Sequence, residues 1–109
     1  MITRLKSGPA FRPGQLVRHQ RYDYRGVVVA YDLQCDAPDE WYQTNQTQPD
    51  RDQPWYHVLV HGANMTTYAA QSSLLADGAG KRIDHPLVDK YFSEFTGTSY
   101  VRNNRPFAD

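Results

Sequence analysis

Few residues of this chain have the types and spacing that chemistry requires. His57 and His61 stand four apart, the interval that stacks two metal ligands on one helix face. The run Tyr56-His57-Val58-Leu59-Val60 is β-prone, however. Four residues of strand span about 13 Å, too far to share an ion held about 2 Å from each ligand. No metal is expected. His57 is expected to pack beside Trp55 and bond a carbonyl, and His61 to sit at a hairpin end. Cys35, the single cysteine, opens an acidic stretch where negative charge opposes thiolate formation; it reads as a passive thiol. Ser72-Ser73 suit a turn, Asp39 and Glu40 diverge on any helix, and Asp84 suits a helix cap better than it suits orienting His85. Gly78-Ala79-Gly80-Lys81 is too short for a phosphate loop. With no convergent constellation, neither catalysis nor a cofactor is expected.

The charged residues form two blocks of opposite sign. Residues 12–25 carry Arg12, Arg18, Arg21 and Arg25 against Asp23, a net +3. Residues 32–52 carry Asp32, Asp36, Asp39, Glu40, Asp50 and Asp52 against Arg51, a net −5. Arginine forks hold phosphates bidentately or read guanine edges, and Tyr22 and Tyr24 can stack on a base or brace the guanidinium planes. The same pattern fits a solvated hairpin edge paired with Asp23 and the acids downstream. The formal charge of the whole chain is +0, which excludes a generally basic nucleic-acid binder. Any DNA contact falls to the arginine edge, with the acidic loop turned away. Trp41, Trp55, Tyr56 and Tyr68 fit either an aromatic cage, which takes cationic ammonium groups, or the bulk of a small core.

The elements that must position these residues follow from the pattern. At 109 residues the chain is one domain with a small core. It shows no apolar leader region and no 18-residue apolar run, so neither a signal peptide nor a membrane span is expected. One cysteine suits a reducing, cytoplasmic setting. Residues 1–10 read as a flexible leader. Pro13-Gly14 launches a strand over about 15–19, on which Val17 is the expected core anchor because the face of Leu16 also carries Arg18. Residues 25–32 form the most apolar strand, central in the sheet, with Gly26 at a bulge or close backbone approach. Residues 33–53 are a long polar insertion; Asp36 to Tyr42 can open one or two helical turns, Trp41 and Tyr42 pin it to the core, and 43–50 is a surface loop or a disordered excursion. Residues 55–61 and 66–70 flank a Gly-Ala-Asn turn, a hairpin signal, with Pro54 before it. A 3-10 turn over 71–75 and an exposed turn over 76–82 follow. Leu87, Val88, Tyr91, Phe92 and Phe95 fall in a helical stripe that Gly97 ends. Tyr100-Val101 closes the strands, and 102–109 is a flexible tail. The sum is a mainly β fold: a small antiparallel barrel or bent sheet with a short C-terminal helix and one long acidic loop.

Pro54-Trp55-Tyr56-His57-Val58-Leu59-Val60 with Tyr68-Ala69-Ala70 resembles the signature of the hemimethylated-DNA-binding, YccV-like family. Phe11, Pro13-Gly14-Gln15-Leu16-Val17-Arg18-His19 and Tyr24-Arg25-Gly26-Val27-Val28-Val29 are similar to its opening. His85-Pro86-Leu87-Val88 with Tyr91-Phe92 looks like its close. The resemblance spans roughly residues 10–101 and implies an SH3-like or related small β-barrel, a domain over 11–101 with a loop insertion at 33–53. It further implies a non-enzymatic protein whose partner is double-stranded DNA, hemimethylated by preference. Arg12, Arg18, His19, Arg21, Tyr22 and Arg25 are then the candidate DNA contacts. The heat-shock HspQ type within the family resembles adaptors that modulate an ATP-dependent protease. On that alternative Asp36, Asp39, Glu40, Trp41 and Tyr42 are the candidate docking residues. Free sheet edges also allow a homo-oligomer.

Overall fold

The computed structural model describes residues 8–45 and 47–108. Residues 1–7 of the expected leader, Gln46 of the insertion and Asp109 of the tail lie outside them. The elements run β1 (Leu16–His19), β2 (Arg25–Asp32), α1 (Asp39–Thr44), β3 (Trp55–Val60), β4 (Thr66–Ala70), a 3-10 turn (Gln71–Ser73), β5 (Leu74–Ala76), α2 (Val88–Tyr91), β6 (Phe92–Phe95) and β7 (Tyr100–Arg102).

Five strands form one antiparallel sheet in the order β4-β3-β2-β1-β5, and β6 and β7 form a separate hairpin. β4 and β5 occupy opposite edges, yet only Gln71–Ser73 join them. So short a link forces the sheet to curl until its edges approach. The curl brings the hydroxyl of Tyr24, in the β1–β2 turn, within 2.7 Å of the Thr67 hydroxyl on β4, although β3 lies between β2 and β4 in the sheet. Hydrogen bonding does not close the barrel. A bent sheet with an open seam is the architecture.

Both faces of the sheet are buried. Leu16, Val27, Val29 and Leu59 pack under Ile83, Tyr91, Phe92 and Tyr100 from the C-terminal segment. Val17, Val28, Tyr56, Val58 and Ala69 pack with Phe11 and Leu74 on the concave side. Leu16 is therefore as much a core residue as Val17, at 1% and 0% exposure. The arginine on its face does not expose it, because the C-terminal segment covers that end of the strand.

Gly26 marks a close approach and not the bulge. A Cβ there would lie 2.4 Å from Val58 Cγ1 and 2.6 Å from the Leu59 carbonyl. The register shift sits between Val28 and Ala30. Side chains alternate along a strand, so one extra residue moves everything downstream to the other face. Asp32 thereby pairs with Trp55 and shares a face with His57 and Tyr68.

The C-terminal helix is shorter than its stripe implies. α2 has four residues, and Phe92–Phe95 continue as strand. Phe92 and Phe95 both contact the Tyr100 ring, at 5.4 and 4.7 Å. The aromatic spacing fits a bulged strand against β7 as well as a helix, and pairing decides for the strand. Asp84 caps nothing: the residue before α2 is Leu87, without a side-chain cap bond. His85 braces this turn instead, its Nδ1 accepting the Leu87 N–H at 3.0 Å. Phe107, beyond the last strand, lies against His57 and Tyr91 at 5.0 and 5.5 Å.

Candidate functional site

The turn between β1 and β2 is built on a buried histidine. His19 Nδ1 accepts the N–H groups of Arg21 and Tyr22, both at 3.1 Å. Its ring stacks against Tyr22 at 4.8 Å and lies 5.1 Å from Tyr24. Asp23 completes the turn with φ 57, a left-handed conformation that Asp tolerates. Tyr22 stays 53% exposed, with the Arg21 guanidinium 5.7 Å from its ring centre. An Nδ1 that accepts two bonds must be unprotonated, and burial followed by the charge of Arg21 lowers the His19 pKa.

Arg18 and Arg25 face each other across β1 and β2. Two carboxylates balance them. Arg18 bonds Asp23 at 2.7 Å on the surface. Arg25 bonds Asp77 at 2.6 Å with side chains 14% and 6% exposed, and its other nitrogen reaches the Lys81 carbonyl at 2.7 Å. Burial opposes ionisation of Asp77, but the hydrogen bond and charge of Arg25 hold its pKa below the usual carboxylate value.

The acidic insertion is cross-braced. Trp55, Cys35 and Ala70 form a third cluster with Ala37, Trp41, Tyr42 and Tyr68. Trp41 lies 6.0 Å from Trp55 and 5.6 Å from Tyr68, and Trp55 lies 5.3 Å from Tyr68. Rings this close fill the space between them, so they form a wall and not a cage around a cation. The Tyr42 hydroxyl donates to the carbonyls of Gln48 and Pro49, and Trp55 Nε1 donates to that of Asp50. Arg51 reaches the Ala37 carbonyl at 2.6 Å, stacks over Tyr42 and faces Asp39 at 3.3 Å. These contacts tie down Gln48, Pro49 and Asp50, in the stretch for which the sequence left disorder open. The helical turns begin at Asp39, with Pro38 before them and no side-chain cap.

Between the turn and the insertion lies a cleft of about 1140 Å³. It follows the seam of the sheet. All five residues of β4 line it, with His19, Tyr22 and Tyr24 at one end and Asp32, Asp36 and Trp41 at the other. At the acidic end Tyr68 donates to Asp32 at 2.6 Å and accepts the Asp36 N–H at 3.0 Å. Burial, then the bond to Asp32, pushes its phenol far above the usual range. His57 Nε2 lies 3.5 Å from Asp32, so it meets a carboxylate and not the expected carbonyl. His61 sits just past β3, as expected, its Nδ1 accepting the Asp84 N–H. Among the described residues no group of His, Cys, Asp and Glu has the arrangement of a metal site.

The family model described as hemimethylated DNA-binding protein YccV like matches residues 9–99. The chain belongs to the YccV-like family. F-box only protein 21 from Homo sapiens and from Mus musculus are each 38% identical over 93 residues, 83% of this chain. The chain spans 15% of the length of those relatives.

In this YccV-like domain the six candidate DNA residues do not converge on one point. Arg21 and Tyr22 are exposed together at the turn, with Arg18 partly exposed beside them. His19 is buried beneath the turn, and Arg25 is held by Asp77. Arg12 is exposed before the start of β1, at the other end of that strand. Of the candidate docking residues, Asp36, Asp39 and Glu40 are exposed, while Trp41 and Tyr42 are half-buried in the aromatic wall. Sequence reasoning missed Asp77, Lys81 and Asp32. The first two lie more than fifty residues from Arg25, and Asp32 reaches its face only through the bulge.

Proposed function

We propose that this YccV-like domain is a non-enzymatic DNA-binding module that engages duplex DNA, hemimethylated duplex included, through the β1–β2 turn. The observation that carries this reading is Tyr22, 53% exposed beside Arg21 on a turn whose backbone His19 fixes. Arg21 and Lys81 have no carboxylate partner among the described residues, and they supply a local positive edge that Arg18 joins when a phosphate displaces its exposed partner Asp23. A chain of zero formal charge can bind phosphates only through such an edge. The family description supports the choice of DNA.

The test is fluorescence anisotropy with hemimethylated, fully methylated and unmethylated duplexes of one sequence at several salt concentrations. Three phosphate contacts give a log–log salt slope of about −3. Arg21→Ala should flatten that slope by about one and weaken all three duplexes alike. Absence of binding to every duplex at low salt removes the proposal.

A second reading is an adaptor of the HspQ heat-shock type that docks proteins for an ATP-dependent protease. The braced insertion favours it, since Asp36 and Glu40 project from a fixed platform without ion pairs among the described residues. Reversing both charges to Lys separates the two readings. Docking should fail, while DNA binding should persist or strengthen. Either reading goes with a cytoplasmic location. Among the described residues no helix is long and apolar enough to cross a membrane.

A further inference from the structure

The bonds at the two ends of the β3–β4 pair fix which groups of β4 are free. Val60 N–H donates to the Met65 carbonyl, and Gln71 N–H donates to the Pro54 carbonyl. In an antiparallel pair bonded and non-bonded positions alternate. Thr67 and Ala69 therefore turn their backbone groups toward β3, and Thr66 and Tyr68 turn theirs away. β4 is an edge strand, and among the described residues no backbone group pairs with that outer side.

We propose that the seam is a docking groove for an extended basic peptide of a partner protein, which adds as a strand to the outer edge of β4. Four observations argue for this occupant. The cleft runs along the whole of β4, and at about 1140 Å³ it exceeds the roughly 300–1,000 Å³ of small-molecule sites. An unpaired edge supplies main-chain affinity to an incoming strand, and flanking pockets supply selectivity. One end of the cleft is acidic, with Asp32 and Asp36 lining it and Glu40 exposed on the adjoining helix, which selects Lys or Arg. The chain's own C-terminal segment also places Phe107 in this cleft, against His57. An apolar side chain from an extended segment thus already occupies one position, and a partner would displace it. The inference deepens the protein-docking reading and is independent of the DNA reading.

The probe is a capped hexapeptide, Lys-Val-Lys-Phe-Lys-Val, with two controls: its Glu-for-Lys counterpart and the same peptide N-methylated at alternate residues. Trp41 and Trp55, the only two tryptophans, report binding by fluorescence, and amide hydrogen exchange locates it. The expected result is saturable binding with slowed exchange at Thr66 and Tyr68. Binding should be lost with the N-methylated peptide and weakened about tenfold by Asp36→Lys with Glu40→Lys. Thr66→Pro removes an outward N–H without touching a bond to β3, and should weaken the peptide similarly. Phe107→Ala should tighten it several-fold. Equal binding of the N-methylated peptide, or no protection of β4, overturns the proposal. So does a duplex that protects these amides while the peptide does not. A partner that docks on Asp36 and Glu40 without protecting β4 keeps the docking reading and removes this one.

Discussion

The β1–β2 turn and the acidic insertion stand at opposite ends of one cleft and are held by different forces. The turn is fixed by directional bonds: two N–H groups on His19, and Arg25 on Asp77 beneath it. The insertion is fixed by ring burial, with Trp55 as the floor and Trp41, Tyr42 and Tyr68 around it. The first kind of anchorage responds to pH and charge. The second responds to volume, which sets how each end can be broken.

The largest effect is expected at the aromatic end. Trp55 is 1% exposed, and truncating a buried aromatic to Ala costs about 4 kcal/mol. Trp55→Ala should lower the denaturant midpoint accordingly, and Trp41→Ala, half-buried at the wall, distinctly less. Equal losses would mean that the insertion does not rest on Trp55. At the polar end, Asp77→Ala leaves the Arg25 charge buried without its partner, at a cost of about 3 kcal/mol. Because the folded pKa of Asp77 is depressed below 3.8, its stabilisation is complete above that pH and is lost as pH falls through the folded value. The acid limb of a stability–pH curve should therefore flatten in the variant. An unchanged limb would show that the pair contributes nothing.

The smallest effect belongs to His19. Its folded pKa lies below 6.5, so the unfolded chain takes up the proton first. Stability from this residue is present above pH 6.5 and declines as pH drops through the depressed value. Amide protection factors at Arg21 and Tyr22, referred to the intrinsic exchange rate at each pH, should fall over that interval while those at Trp41 and Tyr42 do not. A parallel fall in protection at both ends would erase the distinction between them.

Local signals carried much of the fold. The β2 boundaries, the β3–β4 hairpin and the pinning of the insertion by Trp41 and Tyr42 follow from residue type and alternation, which act over a few positions. The stripe from Leu87 to Phe95 misled because aromatic spacing suits a helix and a bulged strand alike, and only β7 decides between them. At the candidate site the sequence marked the arginines and tyrosines of the turn. It could not tell that His19 lies beneath the turn, nor that Arg25 is taken by Asp77.

By itself the sequence determined β1 to β4 and β7, the two blocks of charge and the family, but not β5 or β6. The tertiary structure alone decided the curl that leaves a seam, the bulge that turns Asp32 toward Tyr68, and which charges remain free. The reason is physical. Propensity and alternation are properties of neighbouring residues, whereas an ion pair such as Arg25–Asp77 joins residues 52 apart. Such a pair exists only once the chain has brought distant segments together.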